Sequence, residues 1–405
     1  FYDKLTYAVI SDALQRNTTS TAFRSQLSEL IALGLLPPDA DLDRVTFDGN
    51  LTVNPACATV AACPPAAAVQ ALRDTAVINE ARILNPNGYE SPYAAQFSLG
   101  WQRHIDANWS GAIDLLYNRT HHLVRLRDLN SPASFIPDAA ALTDSVIAEL
   151  RALPDDAARM ARAGELGLVR TQAEADASRP VALAAGGARQ ITVSETEGNA
   201  EYRALSLRLV KEQGDDRWAA RVSYTCSKLE NDTDDINFRA SNANDFARDR
   251  GSSANDRRHV ISAVAYLYPF PDLTLSVAGL FQSGQPVNLV PDARVFGTQD
   301  LNGDGASFGE NFVGNSDRYP GAARNSGRLS WSTTVDLGLR YELRLAGTVL
   351  EVRADVFNLF DASNESGFAN SATTSNQVQF GGGVPFVRRN AGPPRQFQFG
   401  IVARL

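Results

Sequence analysis

The sequence predicts an all-β fold, an antiparallel transmembrane β-barrel, and three observations support this prediction. The stretch from Trp331 to Leu345 alternates between apolar and polar residues, and it is far longer than the roughly 5–6 residues of an average strand. A strand of this length crosses a bilayer when it is tilted. Such stretches come in pairs joined by short turns, whereas long polar segments separate one pair from the next. Short turns at one end of the strands and long loops at the other are typical of outer-membrane barrels.

Composition agrees with a barrel and argues against other classes of protein. The chain has 405 residues, a net charge of −8 and a negative mean hydropathy. No stretch approaches the roughly 18 consecutive apolar residues of a membrane helix. The polar lumen and wet loops of a barrel lower its mean hydropathy, so a negative value is compatible with a membrane protein. We expect no nucleic-acid partner, because Lys and Arg are dispersed and phosphate binding needs clustered positive charge.

Four hairpins are predicted in order along the chain, each made of two alternating strands and a short turn. The predicted pairs are 91–105 with 109–126, 201–213 with 217–228, 258–268 with 273–287, and 331–345 with 348–360. A last strand at 395–405 ends the chain with alternating aromatic residues, which resembles the carboxy-terminal signal of barrel assembly. Because Phe1 to Asp3 has the character of a strand's end, we expect about ten strands of a larger barrel.

Long polar connections are predicted between the hairpins, at 4–90, 129–199, 229–256, 288–327 and 361–394. Two of them contain apolar residues at helical spacing, over 21–36 and 139–164. We interpret these as short helices in extracellular loops, and soluble helices packed on a sheet are the alternative. The acidic run Glu230 to Asp235 is expected to be a solvated loop tip.

The alternation also predicts which face of the barrel meets lipid. The residues expected to face lipid are Trp331, Val335, Leu337, Leu339 and Leu343. Those expected to face the lumen are Asp336, Arg340, Glu342 and Arg344.

The three cysteines divide into a close pair and a single residue. Cys57 and Cys63 lie in a Pro/Ala-rich loop, and their spacing predicts a small disulfide in an oxidising compartment. Two unpaired thiols are the alternative. Cys226 lies on the apolar face of a strand and is expected to be a small hydrophobic residue.

The motif with the clearest chemistry is the run Asp300-Leu-Asn-Gly-Asp-Gly305. Its oxygen ligands at every second position match the first half of a calcium-binding loop. The pattern requires Glu at the twelfth position, but Asn311 stands there and Glu310 comes one residue early. We therefore predict a partial calcium site formed by Asp300, Asn302 and Asp304, with a carboxylate from elsewhere. An ordinary metal-free turn is the alternative.

No catalytic residues and no enzymatic activity are predicted. Known nucleophile, phosphate-loop and metalloprotease motifs are absent from the sequence. His121 and His122 are neighbours in a strand, where successive side chains point to opposite faces, so they are not expected to share a metal. A dyad of Asp256 and His259, of the kind that a ten-strand barrel protease would need, is the enzymatic alternative that the sequence does not favour.

Several segments resemble successive hallmarks of TonB-dependent receptors, and the closest resemblance is to the Oar-like branch. In family order they are Ser91 to Arg103, Tyr202 to Leu209, Val222 to Lys228, Asn255 to His259, Arg324 to Ser326 and Ala354 to Asp361. Cys226 departs from the family pattern, which usually has Trp there. The resemblance implies a barrel of about 22 strands in the outer membrane of a Gram-negative bacterium.

The resemblance also implies a domain organisation and partners. Residues 1–405 would be the C-terminal part of the barrel, and an N-terminal plug and a carboxypeptidase-regulatory-like domain would lie outside this sequence. The implied partners are outer-membrane lipid, an unidentified extracellular ligand and the TonB–ExbB–ExbD complex, which acts through the plug. The expected function is ligand capture and energised uptake. A structural or adhesive surface protein and a passive porin-like barrel are the alternatives.

Overall fold

The computed structural model describes residues 20–46, 71, 74–305, 317–345, 347–369, 374–375, 377–380, 387–390 and 392–404. The strands are β1 (Ile78–Ile83), β2 (Tyr93–His104), β3 (Trp109–Asp128), β4 (Ala188–Lys211), β5 (Trp218–Asn231), β6 (Gly251–Ser252), β7 (His259–Phe270), β8 (Leu273–Gln282), β9 (Pro286–Pro291), β10 (Gly327–Arg328), β11 (Ser332–Leu345), β12 (Thr348–Phe357), β13 (Glu365–Ala369), β14 (Thr374–Ser375), β15 (Gln377–Phe380), β16 (Val387–Asn390) and β17 (Gln396–Arg404). The helices are α1 (Thr21–Ala32), α2 (Leu42–Thr46), α3 (Asp144–Ala152), α4 (Asp156–Glu165), α5 (Gln172–Ala177) and α6 (Ala293–Phe296).

Nine long strands form one antiparallel sheet in the order β2-β3-β4-β5-β7-β8-β11-β12-β17. The long strands follow one another in this sheet in the same order as in the sequence, so the sheet is an up-and-down meander. The predicted fold class and its four hairpins are confirmed, since β2–β3, β4–β5, β7–β8 and β11–β12 pair as antiparallel neighbours. The additional strand predicted at Phe1 lies outside the described residues.

One face of the sheet is a continuous apolar surface. Cross-strand pairing places Leu337 between Val277 and Val356, and Val356 in turn pairs with Phe397. These apolar side chains are exposed, with 43% of Leu337 and 63% of Phe397 accessible. Because the register carries apolar rows across the strands, this face is the lipid-facing surface of a membrane barrel.

The opposite face of the sheet is polar and contains ion pairs. Glu351 is fully buried there among three arginines. Arg340 and Arg404 each lie 3.0 Å from its carboxylate, and Arg353 also pairs with it. Charged side chains on this face would be costly in lipid, so their position agrees with a lumenal surface.

Strand β4 is longer than the sequence predicts, because it begins at Ala188 and not at Glu201. Its additional residues are almost all buried, and they pair in parallel with β1 beyond the hairpin ends. Polar residues in 188–199 suggested a solvated connection. In the structure these residues pair with β3 on one side and with β1 on the other, and nearly all of them are buried, so the usual alternation of buried and exposed residues is lost.

The long connections lie at the strand ends opposite the short turns, and together they form a folded unit. This unit is here named the loop layer (described residues of 20–46, 74–90, 129–199, 232–258, 283–305 and 317–331). One apolar core joins α1 and α2 to β1 and the start of β4. A second joins α3, α4 and α6 around Phe296. The predicted helical segments are therefore confirmed at 21–32 and within 139–164. Within the ranges that the structure describes, no helix has the length and apolar character needed to cross a membrane.

Candidate ligand-binding site

A pocket of about 450 Å³ opens in the loop layer, and its volume is within the range of small-molecule sites. Segments from three connections of the loop layer meet around it. The lining residues are Phe135, Ile136, Pro137, Ser241, Asn242, Arg248, Asn302, Asp317, Arg318, Tyr319, Pro320, Gly321, Ala322 and Ala323. Both apolar and charged side chains therefore line the same opening.

Amide side chains fix the walls of the pocket relative to one another. Asn242 accepts a hydrogen bond from the backbone N–H of Phe135 at 2.9 Å, and its Nδ2 donates to Ser134 at 2.8 Å. Asn302 donates from Nδ2 to the carbonyl oxygen of Ser241 at 2.8 Å. Since each amide joins residues distant in sequence, the pocket is held in shape before any ligand arrives.

The two arginines of the pocket differ in whether their guanidinium groups already form an ion pair. Arg318 pairs with the fully buried carboxylate of Asp249, which also accepts hydrogen bonds from the backbone and hydroxyl of Ser241. Arg248 is exposed, and its guanidinium has no ion-pair partner within the described part of the chain. The pocket therefore offers one fixed and one available guanidinium, which favours an anionic ligand.

Two aromatic rings complete the apolar part of the wall. The guanidinium of Arg170 lies over the ring of Phe135, 5.3 Å from its centroid. Tyr319 meets Phe296 edge to face with ring centroids 6.2 Å apart, and burial together with the nearby Asp144 carboxylate raises the pKa of Tyr319. Tyr319 is thus a neutral phenol with a constrained ring, suited to packing against a ligand.

The predicted calcium loop forms a compact turn beside this pocket. Gly303 and Gly305 have positive φ angles of 68° and 77°, which favour glycine. The carboxylate of Asp300 accepts hydrogen bonds from the backbone N–H of Asp304 at 3.2 Å and of Gly305 at 3.1 Å. Asn302 Oδ1 also accepts from the N–H of Asp304, at 2.8 Å. The side-chain oxygens of Asp300 and Asn302, which the sequence predicts to be calcium ligands, therefore stabilise the turn by accepting backbone hydrogen bonds.

Asp317 supplies the additional carboxylate at this turn. It accepts hydrogen bonds from the backbone N–H groups of Leu301 and Asn302 and from Asn302 Nδ2. Burial, with the nearby charge of Asp304, raises the pKa of Asp300 to about 6. The described residues contain no cluster of three His, Cys, Asp or Glu side chains placed to hold a metal ion. Calcium binding stays a prediction.

The histidines do not follow the simple strand geometry expected from sequence. A bulge at His122, with φ of 61°, interrupts the register of β3 with β4. It brings the rings of His121 and His122 to 5.2 and 5.4 Å from Tyr93. The alternation argument is therefore wrong at this position, because a bulge adds a residue to one strand. His122 pairs with Glu90 at 3.1 Å.

Asp256 and His259 do not form the suggested dyad. Asp256 is fully buried and pairs with Arg328, while its Oδ1 accepts the backbone N–H of Leu229 at 2.8 Å. His259 Nδ1 instead lies 2.9 Å from the hydroxyl of Tyr224. The two side chains have separate structural partners.

The acidic run Glu230 to Asp235 is solvated only in part, because Asp235 is exposed whereas the side chain of Asp234 is enclosed. The side chain of Asp234 is only 6% exposed and accepts hydrogen bonds from Arg324, Asn231 and Ser253. Although burial opposes ionisation, the Arg324 guanidinium holds the pKa of Asp234 below its usual range. The expectation failed at Asp234 because its charge is neutralised by Arg324, about ninety positions away in the sequence.

The remaining predicted residues have mixed outcomes. Cys57 and Cys63 lie outside the described residues, so their disulfide stays a prediction. Cys226 is a free thiol and pairs across the sheet with Leu205 on the apolar face. Sequence reasoning missed Arg248, Arg318 and Asp317 as pocket residues, since single charged residues in long polar loops carry no distinguishing pattern.

Comparisons with known structures return outer-membrane receptors at low identity. The outer membrane transporter YddB from Escherichia coli is 12% identical, with 81% of this chain and 34% of that chain covered and a TM-score of 0.44. A variant of the ferric enterobactin receptor PfeA from Pseudomonas aeruginosa is 14% identical, with 79% and 32% covered and a TM-score of 0.42. BauA, the ferric preacinetobactin receptor from Acinetobacter baumannii, is 11% identical, with 79% and 30% covered and a TM-score of 0.39. The chain spans about a third of the length of these proteins. No curated protein matches the chain.

A family comparison covers nearly the whole chain. Residues 24–398 match the family described as an outer membrane beta barrel domain. The antiparallel meander, its exposed apolar face and its polar opposite face agree with that match. The protein is therefore located in the outer membrane of a Gram-negative bacterium, and the chain belongs to the outer membrane beta-barrel domain family.

Proposed function

We propose that this chain is the C-terminal part of the barrel of a TonB-dependent receptor of the Oar-like branch. In this proposal the loop layer captures a small ligand outside the cell, and the TonB–ExbB–ExbD complex drives its uptake through a plug. The observation that carries ligand capture is the 450 Å³ pocket with its available Arg248 guanidinium. The ordered hallmarks in the sequence support the TonB-dependent class.

The pocket chemistry supports an organic anion with an apolar or aromatic part as the ligand. The guanidinium of Arg248 would pair with a carboxylate or a similar anionic group. Phe135 and Tyr319 would contact the apolar part, because both line the same opening. Asn242 and Asn302 already bond to the protein, so they shape the pocket more than they bind the ligand.

Ligand capture is tested with protein produced from the full-length gene and purified from outer membranes. The protein is incubated with concentrated bacterial culture medium, washed, and its bound small molecules are identified by mass spectrometry. We expect an anionic compound that the Arg248→Ala variant retains at least tenfold less. Arg294→Ala, an exposed arginine of the loop layer outside the pocket, is the matched control and should retain the compound. Equal retention by both variants would exclude this pocket.

Uptake is tested with the identified compound in labelled form, using cells with and without TonB. We expect surface binding in both strains and internalisation only where TonB is present. Internalisation without TonB would indicate a passive porin-like barrel. If the protein attaches to other cells or to extracellular matrix, and no small molecule is internalised, it would be an adhesive surface protein.

A further inference from the structure

A second cavity lies on the opposite side of the barrel wall, on the apolar face that meets lipid. It is a groove of about 510 Å³ between β2, β3, β4 and β5. The lining residues are Phe97, Leu115, Leu116, Tyr117, Arg203, Ala204, Leu205, Cys226, Ser227, Lys228 and Arg258. The groove is mostly apolar but includes three cationic side chains, which lipid tails would not solvate.

Cross-strand pairing explains how the cations reach this groove. Leu205 pairs with Leu115 and Cys226, which makes an apolar row across three strands. Two residues nearer the loop layer, Arg203 pairs with Tyr117 and Lys228 on the same face. On this face of the sheet, the apolar row is therefore followed directly by a cationic row, two residues further along each strand.

Two further arginines extend the cationic row. The carbonyl oxygen of Arg258 accepts the backbone N–H of Ser227 at 2.9 Å, which places Arg258 next to Lys228. Arg119 lies on β3, two residues nearer the loop layer than Tyr117. It is exposed, and it has no ion-pair partner among the residues that the structure describes. Four cations therefore surround the end of the groove that faces the loop layer.

Neighbouring carboxylates form ion pairs with these cations and hold them in position, but they leave the cationic side chains exposed to solvent. Arg203 pairs with Glu201, and Lys228 with Glu230 at 2.7 Å, both on the loop side of the cation. The side chain of Arg203 is 67% exposed, whereas that of Glu201 is 15% exposed. Lys228 is likewise more exposed than Glu230. The accessible charge at the end of the groove is positive.

We propose that this groove binds a phosphorylated lipid of the outer leaflet. Its acyl chains would lie along the apolar floor near Leu115 and Leu205, and its phosphate would meet the guanidinium of Arg203 and the ammonium of Lys228. Arginine and lysine at a membrane boundary attract anionic headgroups, and a guanidinium pairs with phosphate through parallel hydrogen bonds. The proposal rests on the outer-membrane location and on the expected position of the loop layer outside the cell, and it does not depend on transport.

The test measures lipid binding to purified full-length protein by native mass spectrometry, with lipid A carrying two, one or no phosphates as the probe. We expect the affinity to fall at least tenfold from two phosphates to none. The variant Arg203→Gln/Lys228→Gln should lose at least tenfold affinity for the bisphosphorylated form. Arg208→Gln/Arg221→Gln is the matched control, because these exposed arginines lie on the same strands but on the opposite face.

Two results would overturn the proposal: equal binding of phosphorylated and dephosphorylated lipid, or equal binding by the variant and its control. The lipid series uses unaltered protein, so it decides the question even if the double variant fails to fold. Arg203→Lys/Lys228→Arg keeps the charge and should keep the binding. The control variant must show the heat-modifiable gel migration of a folded barrel.

Discussion

The guanidinium of Arg324 donates to the carboxylate of Asp234 inside the loop layer, where the arginine side chain is fully buried. The same guanidinium donates to the carbonyl oxygens of Asn231 and Asp249, at 2.7 and 2.9 Å, and lies 4.7 Å from the ring centroid of Phe238. One side chain therefore joins the connection that follows β8 to several points of the connection between β5 and β7. The loops behave as one folded unit because their charges are satisfied by one another.

Replacing Arg324 should open the loop layer. Arg324→Ala leaves the buried Asp234 carboxylate without its main partner, and we expect a loss of about 3–5 kcal/mol in the local free energy of unfolding. Limited proteolysis and hydrogen exchange of residues 231–253 measure the effect. Arg44→Ala, which removes an exposed arginine of α2 in the same layer, should change the local free energy by less than about 1 kcal/mol. Equal protection in both variants would show that Arg324 does not hold the layer together.

The lipid-facing register can be tested at two adjacent residues of β11. Leu339 pairs with Leu275 and Ala354 on the apolar face, so Leu339→Arg should destabilise the barrel by about 2–4 kcal/mol. Arg340→Ala should cost about 1 kcal/mol or less, because Arg353 and Arg404 still pair with Glu351. Reversible unfolding of the full-length protein in lipid bilayers gives both values. Similar costs at the two positions would contradict the assigned faces.

The loop layer is expected to lie outside the cell and the short turns in the periplasm. Ala152 is exposed at the end of α3, and Asp215 is exposed in the turn between β4 and β5. In the full-length protein with all of its native cysteines changed to serine, Ala152→Cys should react with an impermeant maleimide on intact cells. Asp215→Cys should react only after the outer membrane is broken. Labelling of Asp215→Cys on intact cells would reverse the orientation.

Calcium, if it binds at Asp300, Asn302 and Asp304, should order the neighbouring loop. Because the ligand set is incomplete, we expect weak affinity on the order of 10⁻⁴ to 10⁻³ M. Chelation should then increase proteolysis within residues 288–327 of the full-length protein, and Asp304→Ala should have the same effect with calcium present. Proteolysis that does not respond to calcium would identify these residues as turn formers only.

In the presence of a chelator, the same turn should become more stable as the pH falls. Burial, then the charge of Asp304, raises the pKa of Asp300 to about 6, from about 3.8 in the open chain. Between these values the closed turn binds more protons than the open one, so its stability rises as the pH drops through 6. Hydrogen exchange of the amides of Asp304 and Gly305, corrected for intrinsic rate, should show greater protection at pH 5 than at pH 7. Asp300→Asn should abolish the difference, and a persisting difference would assign it to another group.

Sequence by itself determined the long strands of the sheet, their hairpins and the two faces of the barrel, whereas the early start of β4 and the short strands of the loop layer came only from the structure. These features follow from local periodicity, because alternation with a period of two fixes which side of a sheet a residue occupies. The positions of the loop helices also followed from local spacing, and the structure places helices within both predicted segments.

Tertiary structure decided what the polar loops do. Arg324 with Asp234 and Asp317 with Asn302 are contacts between residues whose sequence spacing carries no period. The bulge at His122 likewise depends on pairing with β4 and not on the residues around it. The pocket beside Arg248 and the cationic groove beside Arg203 exist only because the sheet and its connections bring separate segments together. Charged residues in such segments look alike in sequence, and only their partners distinguish a buried ion pair from a binding group.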